Sequence, residues 1–130
     1  MGDVAAFQRV FHVVSTQIER RPVVVVSAMT KVTDALLAAF EVAKKGNPEA
    51  AAESLGPHFE RHLEVAQQFE ITAGGPFQAE LDYARMEIAD LLKRVSRRSL
   101  PLSMLKDAVV SYGEQLSSRL LTEVLKAKGI

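Results

Sequence analysis

The stretch Arg21-Pro22-Val23-Val24-Val25-Val26-Ser27-Ala28-Met29-Thr30-Lys31-Val32-Thr33-Asp34 decides how the chain is read. Its four consecutive valines are β-branched and stiff at χ1, which favours an extended strand over residues 23–28. Apolar and polar residues do not alternate, so both faces of that strand are expected to be covered, as in a parallel sheet flanked by helices. Small and hydroxyl residues follow, and then a helical pattern begins at Val32, Ala35, Leu36, Ala39, Phe40 and Ala43. The unit is strand, polar turn, helix. Such a junction suits anionic ligands, because the first N–H groups of the helix have no intrahelical partner and face the turn. Ser27, Thr30, Lys31 and Thr33 are its polar groups.

No second strand is evident. One strand makes no sheet, and the rest of the chain has helical periodicity. Residues 3–19 form an amphipathic helix with Asp3 as its cap and Phe7, Val10, Phe11, Val14 and Ile18 on one face. His12 lies beside that stripe. The helix over 32–45 closes on Lys44-Lys45-Gly46, a cationic last turn with a glycine stop, and Pro48 opens the next helix. Residues 48–70 are helical with a break near Gly56-Pro57, after which Phe59, Leu63, Ala66 and Phe69 share a face.

His58 and His62 stand four apart on that helix, a spacing that can hold a metal. The HExxH order and a third ligand are missing, so a solvated polar face is the expected role and no metal site is assigned. Thr72-Ala73-Gly74-Gly75-Pro76 is a turn rather than a phosphate loop, because no strand precedes it and no GK[ST] follows. Helices over 77–95 and 103–128 are expected to pack roughly antiparallel across the Pro101 turn, with Ser99 or Ser103 as cap of the second. Inside the second, Gly113 costs the helix roughly 1 kcal/mol against Ala. A mid-helix glycine marks a close approach by a helix, a backbone or a ligand. Glu114 beside it is either a solvated residue or a carboxylate that meets a cationic substrate group.

Composition narrows the function classes. The chain has 130 residues, the length of one domain, and 48% are hydrophobic, enough for a core. Sixteen basic and sixteen acidic residues give a formal net charge of zero, which argues against nucleic-acid binding. Without cysteine there is neither a disulfide framework nor a thiolate metal site. No apolar run reaches the length of a membrane span and the start is not a secretory signal, so a cytoplasmic location is expected.

Two segments, RPVVVVSAMTKVTDALL at 21–37 and SYGEQLSSRLLTEVLKAKGI at 111–130, resemble the catalytic domain of aspartate kinases in the amino acid kinase family. The family pairs a strand ending in a VVSAM-(x)-x-VT-(D/N)-LL turn with a later helix carrying (S/H)-x-GE-x-(L/M)-S. The order and spacing here match, so the resemblance spans the whole chain as a single N-terminal, substrate-side segment. It implies that Ser27 and Thr33 line the substrate and phosphate region and that Glu114 meets the amino group of L-aspartate. Gly113 is then the close-approach glycine, with Thr30 and Lys31 in supporting places. Family members use ATP and Mg to convert L-aspartate to 4-phospho-L-aspartate. They also carry K-x-GG-x-S ahead of this region and GR-x-GSD after it, and neither motif occurs in these residues.

The expected architecture is therefore a mainly helical piece of an α/β fold, with about five helices and one short strand at 23–28 paired across a dimer. The expected function is a binding or assembly module, catalytically silent alone and without cofactor of its own, with a homodimer or a complementary kinase polypeptide as partner. Two alternatives stand beside it: a part of an aspartate kinase, truncated or completed in trans, and a helical interaction protein with no ligand.

Overall fold

The computed structural model describes residues 3–130 and contains six α-helices. They are α1 (Val4–Thr16), α2 (Val32–Lys44), α3 (Pro48–Ser54), α4 (Gly56–Gln68), α5 (Pro76–Arg97) and α6 (Leu102–Ala127). A short 3-10 turn, Ile18–Arg20, follows α1. The local signals act as their chemistry requires. The Asp3 carboxylate accepts from the Ala6 amide at 3.0 Å and caps α1. Gly46, at φ 97°, takes the left-handed conformation after α2, and Asn47 caps α3 with Pro48 in its first turn. The break expected near Gly56 separates α3 from α4 at Leu55, so 48–70 is two helices.

The expected strand is absent. Among the described residues there is no strand and no sheet, and Val23 to Met29 have no regular secondary structure. Val23 and Val25 are each 90% exposed and Val24 is 39% exposed. The physical reason is that β propensity spans only about 1 kcal/mol and expresses fit to a neighbouring strand and a covered face. With every other long segment helical, the valines have no ladder to join. Pairing of a 23–28 strand across a dimer falls with the strand itself. Thus the described residues form an all-helical unit rather than a piece of an α/β sheet.

The core is continuous. The α5–α6 hairpin turns at Arg98, whose left-handed conformation and amide bond to the Val95 carbonyl stop α5. Leu81, Ile88, Leu92 and Val95 from α5 are buried with Leu105, Val109, Leu116, Leu120 and Val124 from α6. Neither Ser99 nor Ser103 caps α6; Pro101 stands at that position without a side-chain bond. Helix α2 adds Val32, Leu36, Ala39, Phe40 and Ala43. Phe7 of α1 meets Phe69 edge-on, with ring centroids 6.5 Å apart.

Gly113 is the most closely packed of the described glycines. A Cβ there would lie 2.8 Å from the Ala28 Cβ and 3.6 Å from both Val32 Cγ1 and Leu36 Cδ1. Ala28 and Met29 are buried while Ser27 and Thr30 on either side are exposed. The irregular segment thus meets α6 through Ala28, with Met29 also turned into the core. Gly113→Ala should gain about 1 kcal/mol of helix propensity but lose about 1–3 kcal/mol to overpacking. Urea unfolding should therefore show a net loss, and Ala28→Gly in the same chain should restore part of it.

Candidate functional site

The crossing at Gly113 brings together the chain neighbours of three residues singled out in the sequence. Ser27 immediately precedes Ala28, Thr33 immediately follows Val32, and Glu114 immediately follows Gly113, while Ala28 and Val32 both lie against Gly113. Glu114 is exposed, Ser27 is exposed, and Thr33, in the first turn of α2, is half-buried. An open groove of about 500 Å³ runs between the irregular segment and α6, lined by Val24, Val25, Val26, Glu114, Ser118 and Arg119 among others. Glu114 faces this groove. Ser27 and Thr33 border the crossing but do not line the groove.

The turn between Met29 and Val32 is shaped by its own backbone. The Val32 amide donates to the Met29 carbonyl at 3.0 Å, and Lys31 is left-handed at φ 70°. Lys31 occupies the cap position of α2 without a side-chain cap bond. The amides of Thr33 and Asp34 make no backbone hydrogen bond among the described residues, the usual condition of a helix start. Such amides can meet a carboxylate or phosphoryl oxygen.

One neighbour of the polar turn is invisible to sequence spacing. Arg61 Nη1 of α4 donates to the Thr30 carbonyl at 2.8 Å, across 31 positions of chain. It ties the polar turn to a second helix, so the turn is held from two sides: by Gly113 beneath and by Arg61 beside it. No local pattern announces such a bond. Arg119 is likewise placed by the fold. It borders the groove and pairs with Glu80 of α5 at 3.3 Å.

The histidine pair differs from expectation. His62 is fully buried rather than solvated. Its Nδ1 donates to the His58 carbonyl at 2.6 Å, one helical turn back. That tautomer leaves Nε2 without a proton, and this atom has no hydrogen-bond partner among the described residues; the same holds for the buried Ser117 hydroxyl. Burial lowers the His62 pKa, the His58 carbonyl opposes that shift, and Arg61 and His58 reinforce it. Among the described residues no three His, Asp or Glu side chains are grouped to hold a metal ion.

A model of the amino acid kinase family matches residues 3–130. The chain belongs to the amino acid kinase family. No curated protein matches it. The family match takes in both quoted segments and the helices between them, so α3, α4 and α5 are part of the family's region and not an appendage. Within the family's frame, the crossing at Gly113 is where its two quoted segments meet in space. No helix of the described residues is long and apolar enough to cross a membrane.

Two outcomes follow from this geometry. Arg61→Met should loosen the turn, seen as faster hydrogen exchange of the Val32 amide with little change in the α5 and α6 amides. For His62 the folded pKa lies below the unfolded value near 6.5. The unfolded chain therefore binds the extra proton first, and stability is full above about pH 6.5 and falls as pH drops below it. Urea midpoints at about pH 7.5 and about pH 5.5 should differ, and His62→Gln should shrink the difference.

Proposed function

We propose that these residues form the acceptor side of an aspartate-kinase-like site, which binds L-aspartate through Ser27, Thr33 and Glu114 and transfers no phosphate by itself. The supporting observation is the close approach of Ala28 and Val32 to Gly113, which puts the neighbours of all three residues around one point of α6. The chemistry fits an amino acid with acidic groups. The Glu114 carboxylate is exposed beside the groove and can pair with the substrate ammonium. The hydroxyls of Ser27 and Thr33, with the open amides at the start of α2, can take carboxylate oxygens.

Phosphoryl transfer needs positioned groups that stabilise the transferred charge, together with a metal ion. In aspartate kinases the resemblance assigns that task to K-x-GG-x-S and GR-x-GSD, and residues 1–130 contain neither. On the resemblance, ATP and Mg are held by the parts of the family's fold that carry those two motifs. The exposed valines favour a complementary segment at this point: Val25, 90% exposed, lines the groove together with Glu114 and gives such a segment an apolar seat.

Calorimetric titration tests the reading. L-Aspartate should bind the 130-residue chain, and Glu114→Gln should weaken binding roughly tenfold to a hundredfold, the loss of a charge-assisted hydrogen bond. Absence of L-aspartate binding, or an unchanged affinity in Glu114→Gln, would overturn the substrate assignment. With Mg-ATP and L-aspartate the chain should release no ADP. Turnover approaching the range of about 1–100 per second typical of kinases would overturn the claim that it transfers no phosphate alone.

A further inference from the structure

Helix α4 buries four of its side chains, Phe59, His62, Val65 and Ala66, whereas α5 buries six and α6 eight. A helix held by few apolar groups is among the first parts of a bundle to open. One of the four is polar, and it is His62.

The enclosed His62 ring suits one charge state only. Its Nδ1 donates to the His58 carbonyl, and Nε2 meets no partner among the described residues. A second ring proton would sit on Nε2 and create a fully buried cation with an N–H that has no acceptor. Burial is the main obstacle to that proton; Arg61 and His58 add to it, and the bond to the His58 carbonyl opposes it. The neighbouring elements bring no relief. Arg85 of α5 lies over Phe59, 5.1 Å from the ring centroid, and Lys128 at the end of α6 lies 6.0 Å from the Phe69 centroid. Glu49 and Glu53 of α3, like Glu60 and Glu64 of α4 itself, are exposed. The half-buried carboxylates of α5 and α6 are engaged elsewhere: Glu80 with Arg119, Glu123 with Lys126 and Glu87 with the Tyr83 phenol.

Arg61 stands next to His62 and reaches the polar turn, where its Nη1 donates to the Thr30 carbonyl at 2.8 Å. The bond that closes the turn, from the Val32 amide to the Met29 carbonyl, brackets that residue. A movement of α4 that brings the His62 ring to water therefore carries Arg61 away from Thr30.

We propose that His62 is a proton-operated latch. A proton on its ring releases α4 from the bundle, withdraws Arg61 from the Thr30 carbonyl and loosens the turn ahead of α2, while the α5–α6 hairpin stays folded. The latch itself needs no ligand; its use, control of the acceptor side at acid pH, rests on the L-aspartate reading above.

Amide hydrogen exchange at constant ionic strength, expressed against unstructured-peptide rates at each pH, reads the latch directly. From about pH 7.5 to about pH 5.5, protection at Val32 and at Val65 and Ala66 of α4 should fall roughly threefold to tenfold. About tenfold is the ceiling, because an opened imidazole with its ordinary pKa near 6.5 gains at most about one proton over that interval. Leu92 of α5 and Leu120 of α6 should keep their protection. In His62→Gln the fall should disappear. In Arg61→Met, at a half-buried position, Val32 should be weakly protected at both pH values while Val65 still responds. Protection at Val32 that does not change with pH, an equal loss at Leu92 and Leu120, or an undiminished fall in His62→Gln would overturn the proposal. So would a Val32 that responds to pH in Arg61→Met as it does in the unaltered chain. L-Aspartate added at about pH 5.5 should restore protection at Val32; if it does not while the pH response stands, the L-aspartate reading fails and the latch remains.

Discussion

The contact between Ala28 and Gly113 is the constraint on which the rest depends. It is made possible by a missing side chain: any Cβ at 113 would be 2.8 Å from the Ala28 Cβ, well inside van der Waals contact. The helix accepts a glycine in its interior, at a cost of about 1 kcal/mol, because that glycine lets an irregular segment and α2 sit on the same turn of α6. Val32 and Leu36 complete the seat. Without it, Ser27 and Thr33 would have no fixed relation to Glu114, and the two motifs would be neighbours only on paper.

Helices were largely legible because their signals are local. Apolar residues at three- and four-residue spacing, Asp3, Gly46, Pro48 and the Gly56-Pro57 break each act within a turn or two of chain, and each acts as read. The four valines failed for the opposite reason. A strand is a property of two segments, and an unpaired run with strong β propensity stays irregular and exposed. His62 failed because a helical wheel shows which face a residue occupies but not which faces the fold covers. Enclosed within the bundle, it keeps one nitrogen satisfied by the His58 carbonyl and leaves the other bare. The Gly113 reading succeeded because a glycine in a long helix has a cost that some non-local contact must offset, and here the contact is visible.

The family match and the absence of a strand among the described residues are compatible on physical grounds. Matching a family rests on which residues stand where along the chain, and the quoted segments with the helices between them supply that. Forming a sheet needs neighbouring strands, and outside 21–31 the described residues are almost entirely helices and short turns. The valine run therefore keeps the sequence of a buried strand while lying 90% exposed at two of its four positions. Exposed apolar surface of that kind, beside a groove that holds a carboxylate, is a feature monomeric proteins rarely leave without a use.

Helix α6 connects two surfaces. Gly113 and Leu120 face the core, Glu114 and Ser118 face the groove beside the valines, and Tyr112 and Leu116 face a cleft against α5. Arg119 stands where groove and cleft adjoin, held to Glu80 by a pair that solvent screens. A ligand that drew Glu80 away from Arg119 would free a cation at the edge of the groove near Glu114. Since the pair is exposed, its coupling is limited to the fraction of a kcal/mol to about 1 kcal/mol that such pairs carry, and this bounds any influence of one surface on the other through Arg119 to a few-fold change in affinity.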